Sequence, residues 1–115
     1  MTTEEVLNHH LTAFSQGNVE MVMEDFTEDS VLELPDSTVK GLEAIAGVFT
    51  HFFGGLFKPG TYEFNMDRVA VTGEVAYIVW HSKNQGAEVK MGSDTLLVQN
   101  GKIVVQTLAT YVVQS

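Results

Sequence analysis

An α+β fold is predicted, helices first and strands after, on three observations. Before Pro59 the apolar residues recur three times at helical spacing. From Tyr62 onward they alternate at the strand period, in runs separated by turn residues. The chain of 115 residues contains no cysteine, so residues 1–115 are expected to form one domain around a single core without crosslinks.

Residues 3–16 read as a first helix, because Thr2 and Glu5 stand at capping-box spacing and Leu7, Leu11 and Phe14 form an apolar stripe. His10 falls on the edge of that stripe, and His9 points away from it toward solvent. Gly17-Asn18 ends the helix, and Asn18 can cap a short second one with Val19, Val22, Met23 and Phe26 on one side. After a polar turn at residues 27–30, Val31–Leu34 is a brief strand stopped by Pro35, the pattern of a sheet edge. Residues 36–40 read as a polar loop. A third helix starts near Gly41 and carries Leu42, Ile45, Phe49, Phe52 and Leu56 on one face, with Phe53 beside it, and Gly54-Gly55 loosens its end.

Tyr62, Phe64 and Met66 alternate against Glu63, Asn65 and Asp67, whereas Val69 and Val71 continue the apolar set in the opposite phase. A β-bulge near Asp67-Arg68 is the simplest cause. Turns at residues 72–74 and 84–86 bracket a strand over residues 75–83. Asn100-Gly101 is a strong hairpin signal leading into a last strand over residues 102–113. Between them, Ala87–Gln99 alternates Val89, Met91, Ser93, Thr95 and Leu97 against Lys90, Gly92, Asp94, Leu96 and Val98. Both faces carry apolar residues, so this strand lies inside a sheet covered on two sides. Asp94 stands on the second face, where a carboxylate needs a partner, a proton or a pocket. Three helices and a four-strand antiparallel meander, with a short early edge strand, give helices packed on one face of a bent sheet.

Composition narrows the partners. A formal charge of −9, with Arg68 the only arginine, argues against nucleic acid and anionic membranes, both of which need clustered cations. No glycine-rich loop opens a helix with basic support, so no nucleotide cofactor is expected. Four scattered histidines, His9, His10, His51 and His81, have no ligand spacing, and no metal is expected either. No run approaches a membrane span, and the N-terminus is acidic with no apolar stretch behind it, so the expected location is the cytoplasm.

Nearly the whole chain resembles the nuclear transport factor 2-like (NTF2-like) superfamily, within it the SnoaL-like polyketide cyclases and ketosteroid isomerases. The resemblance rests on Ser15-Gln16-Gly17-Asn18-Val19-Glu20, on Phe26-Thr27-Glu28-Asp29-Ser30-Val31, on Val39-Lys40-Gly41-Leu42-Glu43-Ala44-Ile45 and on Asn100-Gly101-Lys102-Ile103. It implies a cone, a curved sheet around the first and third helices with a deep apolar pocket. It also implies a homodimer through the outer sheet face, in keeping with strands that are apolar on both sides.

The candidate catalytic residues are Asp94, His10 and His81. Antiparallel register places Asp94 across from about Tyr77. If Asp94 faces the pocket, Tyr77, Val79 and His81 share its side, as do Gln106, Leu108 and Thr110, and Ile78 and Trp80 face a second subunit. Phe14, Phe26, Leu34, Phe49 and Phe53 are assigned to the rest of the pocket wall. In ketosteroid isomerases one Asp is the base while a Tyr and a protonated Asp hold the enolate oxygen. By that resemblance Asp94 matches the protonated Asp, His10 falls where the Tyr stands, and the base position falls on Leu34, which has no basic atom. The isomerase mechanism therefore does not carry over unchanged. Two readings follow. One is a cofactor-free acid/base enzyme, isomerase or aldol-type cyclase, acting on a small hydrophobic carbonyl compound, with Asp94 as acid/base and His10 as its partner. The other is a non-catalytic ligand-binding or dimerisation module in which Asp94 is a structural acid. Epoxide opening would resemble the limonene epoxide hydrolases, which use paired acids bridged by an arginine, but Arg68 sits on the bulged strand and no second acid is evident beside Asp94.

Overall fold

A computed structural model describes residues 1–114 of the chain. The first helix, α1 (Thr3–Gln16), is closed at its start by the predicted capping box, in which the Thr2 hydroxyl accepts from the Glu5 amide and the Glu5 carboxylate accepts from the Thr2 amide. It ends at Gly17, whose φ of 63° is left-handed and whose missing side chain leaves room for Pro59, since a Cβ there would lie 2.2 Å from the proline ring. Asn18 then caps α2 (Val19–Met23) by accepting from the Met21 amide.

Strands β1 (Val31–Leu34) and β2 (Ser37–Lys40) follow, then α3 (Leu42–Phe53), then β3 (Tyr62–Thr72), β4 (Val75–Asn84), β5 (Ala87–Gln99) and β6 (Lys102–Gln114). The sheet runs β2-β1-β6-β5-β4-β3 and is not closed on itself. Residues 36–40 are therefore not a loop. Pro35-Asp36 is the turn of a hairpin, Ser37 pairs with Leu34, and the partly polar β2 takes the edge. This moves β1 inward, where it lies parallel to β6 with Leu32 opposite Gln106.

Helices α1 and α3 lay Val6, Leu7, Ile45 and Phe49 against Ala76, Ile78, Leu96 and Ile103 on the concave side of the sheet. Two irregularities in the long strands set which side chains of β3, β4 and β5 point into that core. The predicted bulge in β3 is present between Met66 and Arg68. A second was not foreseen. Ser82 pairs with Val89 but Trp80 pairs with Gly92, so β5 carries one extra residue at this point, and β6 registers the same insertion between Val112 and Tyr111. Val89 is thereby buried along with Gly92, instead of sharing the outer face with Met91, which is half-exposed.

Candidate active site in the cone

The extra residue in β5 decides the geometry of the site. Continued from Ser82–Val89, the register would place Tyr77 opposite Asp94. With the bulge, Ile78 stands there and Tyr77 pairs with Thr95. Parity across β4 is thus reversed from the sequence-based expectation. Ile78 and Trp80 point into the cone instead of at a second subunit, while Tyr77, Val79 and His81 turn to the convex face. His81 there places Nδ1 2.7 Å from the Asp67 carboxylate, with both side chains about 45% exposed, far from the concave cluster. Arg68 is on the same convex side, over the Tyr77 ring at 5.7 Å, and does not reach Asp94.

Asp94 itself is 7% exposed and has a donor on each oxygen. Trp80 Nε1–H donates to Oδ1 at 2.8 Å, and the Gln106 side-chain amide donates to Oδ2 at 2.9 Å. Both donors reach diagonally from neighbouring strands, Trp80 from opposite Gly92 and Gln106 from opposite Leu96. Gly92 makes the first contact feasible. The indole lies where a side chain would stand, and a Cβ at this position would be 2.3 Å from its Cε2 and Cζ2.

His10, on α1, is 3% exposed and does not touch Asp94 directly. The link is Gln106, whose Nε2 lies 3.4 Å from His10 Nε2 as well as bonding Asp94. Around the imidazole stand Phe49, Phe26 and Phe14, with ring centroids 5.8, 6.1 and 6.4 Å away. Burial in this apolar setting pushes the His10 pKa down to about 4, so the ring is neutral. Burial also pushes the Asp94 carboxyl up to about 6, against the opposing pull of the Trp80 and Gln106 hydrogen bonds. With the Gln106 N–H aimed at Nε2, the proton of neutral His10 is left on Nδ1. That Nδ1 and the Gln106 Oε1 are buried without a partner in the protein.

His10, Asp94, Gln106, Phe14, Phe49 and Leu108 line one small cavity of about 30 Å³, room for about two water molecules. Trp80, Ile78, Phe57, Phe64 and Leu11 complete its wall. Leu34 and Thr110 belong to a neighbouring hollow, and Phe26 and Phe53 are core residues behind the wall. The deep pocket expected from the sequence is thus largely filled by aromatic rings. Trp80, Ile78, Phe57, Phe64 and Leu11 are the lining residues that sequence reasoning missed, and a glycine two residues before Asp94 in a buried strand was the sign that a large ring, Trp80, crosses it.

Elsewhere, His9 does not face open solvent. Its Nδ1 is 2.7 Å from the buried Asp25 carboxylate and its Nε2 is 3.4 Å from Glu24. Among the described residues, no group of three His, Asp or Glu side chains is arranged to hold a metal ion, and no helix is long and apolar enough to cross a membrane.

Comparison with known proteins gives the same architecture. Residues 7–106 match the family model of the SnoaL-like domain. No curated protein sequence matches the chain. Similar solved structures include a candidate ketosteroid isomerase from Kribbella flavida, 16% identical with a TM-score of 0.78 over 95% of this chain and 77% of the other. A candidate polyketide cyclase from Sinorhizobium meliloti is 18% identical with a TM-score of 0.75, over 90% of this chain and 93% of the other. An LEH-like epoxide hydrolase from M. tuberculosis is 17% identical with a TM-score of 0.72, over 96% of this chain and 84% of the other. At such identities the likeness is one of fold.

Proposed function

The chain belongs to the SnoaL-like domain family, and from that premise we propose that it is a cofactor-free acid/base enzyme, isomerase or aldol-type cyclase, acting on a small hydrophobic carbonyl compound in the cone. One observation carries the reading: Asp94 is enclosed among apolar rings with a pKa near 6, so both its forms are accessible near neutral pH. The carboxylate takes a proton from carbon α to the carbonyl, and the protonated acid returns it elsewhere on the substrate. His10 Nδ1–H, unpartnered in the protein, donates to the oxygen on which negative charge develops. Gln106 holds the two groups in register, and Trp80 fixes the orientation of the Asp94 carboxylate.

The test is deuterium exchange at the α carbons of 2-octanone, a neutral ketone with an apolar tail, in D₂O, followed by proton NMR. Exchange above the buffer rate should rise with pH through about 6 and level off, since the working form is the carboxylate. It should fall about a hundredfold or more in Asp94→Asn. Exchange at the same rate in the variant defeats the reading.

Leu34, with no titratable atom where the resemblance puts a base, favours the second reading, a ligand-binding module of the same fold. Ligand-induced thermal stabilisation without exchange would select it. We also propose a homodimer through the convex face, where Met91 and its cross-strand partner Tyr111 are 50% and 65% exposed. Sedimentation of the wild type against Tyr111→Lys tests this, a dimer giving way to a monomer.

A further inference from the structure

The small chamber around Asp94 has an apolar neighbour. A hollow of about 190 Å³ lies against Leu34, Pro35, Phe52, Leu56 and Thr110, and it reaches the surface past the exposed Pro35, Asp36 and Thr110. The two spaces have two lining residues in common, Phe57 and Leu108. These side chains are the partition. Leu108 is fixed in β6, opposite Asp94 itself, whereas Phe57 stands in the turn that follows α3, its amide bonded to the Phe52 carbonyl at 2.9 Å and its buried ring packed edge-to-face on Tyr62 at 5.5 Å.

Phe57 touches both sides of the partition. Its ring lies 5.3 Å from Phe14 and 5.7 Å from Trp80 on the chamber side, and 5.7 Å from Phe52 on the other, all in edge-to-face contacts. A change of rotamer moves such a ring without disturbing the amide anchor. The chamber alone holds about two waters, too few atoms for any carbonyl compound with an apolar body. The adjoining hollow is the apolar volume such a body needs, and it begins directly behind the ring.

Resting on the acid/base reading of the site, we infer that Phe57 is its specificity-determining residue and that the hollow beyond it is the subsite for the substrate's apolar tail. The substrate class is then an elongated neutral molecule. Its carbonyl or hydroxyl end meets His10 and Gln106, and its tail passes between Leu108 and the displaced Phe57 ring toward Leu34 and Thr110. A compact substrate that ends at the chamber has no use for the hollow, and a tail too wide to pass Leu108 is refused.

The full chain and its Phe57→Ala and Phe57→Leu variants are titrated with 4-propylphenol and with phenol by heteronuclear NMR. In Phe57→Ala, 4-propylphenol should shift the Trp80 indole N–H together with the Leu34 and Thr110 amides, with one common Kd at least about tenfold tighter than in the wild type. Phenol, which lacks the tail, should gain less than about threefold. Phe57→Leu keeps the position filled by an aliphatic group and should move in the same direction by a smaller factor, so a fold lost in the alanine variant leaves the test intact. An unchanged Kd for 4-propylphenol, an equal gain for phenol, or shifts confined to one side of the partition overturns the assignment. The readout is binding, so such a failure leaves the α-proton exchange result of Asp94→Asn where it stood.

Discussion

Two aspartates are buried almost completely, Asp25 at 1% and Asp94 at 7% exposure, and their surroundings differ in one respect. Asp25 meets a group that can carry charge. His9 Nδ1 lies 2.7 Å from its Oδ2, and Glu24 flanks the other ring nitrogen. Asp94 meets only neutral donors, an indole and a carboxamide. Burial raises the pKa of both carboxyls, but at Asp25 the hydrogen bond and charge of His9 oppose the rise. The first arrangement ties α1 to the segment after α2, where the Asp25 carbonyl also receives the Ile103 amide at 2.7 Å. The second leaves a carboxyl poised to change protonation beside two polar atoms without partners. A partner that can carry charge makes a clamp, and neutral partners make a site.

The largest effect should come from breaking the clamp. His9→Ala strands a buried carboxylate whose other oxygen already lacks a partner, and should cost about 4 kcal/mol in urea denaturation. Adding Asp25→Asn removes the stranded charge and should recover most of that loss. If the double variant is as unstable as the single one, His9 acts by packing, and the contrast with Asp94 fails.

Asp94 should behave in the opposite sense. Its folded pKa of about 6 exceeds the 3.8 of an unperturbed aspartate, so between these values folding takes up a proton. The neutral acid is fully accommodated below about pH 4, stability is lost as pH rises toward 6, and above 6 the ionised group carries the whole penalty of about 3 kcal/mol. Asp94→Asn has no such charge. Relative to wild type it should gain stability across that window and stay level above it, while α-proton exchange is lost. Wild-type and variant curves that run parallel from pH 4 to 8 would show that Asp94 is not held near 6.

How much of this was legible in the chain follows from the range of the signals involved. The caps at Thr2 and Asn18, the end at Gly17 and the bulge at Asp67-Arg68 are local, each announced within a few residues, and all are where the sequence puts them. The hairpin at Pro35-Asp36 was hidden because β2 is partly polar and its pairing is supplied by β1. The inserted residue in β5 was hidden for another reason. Lys90 and Met91 are both exposed there, and an alternating pattern reads through such a pair without a break. That one residue reversed the parity of β4, which exchanged Tyr77, Val79 and His81 for Ile78 and Trp80 in the cone. Asp94, His10 and Gln106 were unaffected. They lie on elements whose inward face is set by many apolar neighbours rather than by counting from a turn.

The exchange of Trp80 for His81 also supplies the finest test of the contrast between clamp and site. A histidine beside Asp94 would have opposed the rise in its pKa by charge, as His9 does at Asp25. The indole opposes it only through one neutral hydrogen bond, so its removal should loosen the site without abolishing it. Trp80→Phe keeps an aromatic ring over Gly92 and loses the donor to Oδ1. The ionised state then has one bond fewer, which should cost about 2 kcal/mol above pH 6 and move the Asp94 carboxyl further up. Carbon-13 NMR of the aspartate carboxyl in the variant reads the shift directly. A downward displacement would mean that solvent enters in place of the indole, and that Trp80 serves to keep the chamber dry rather than to hold the carboxylate.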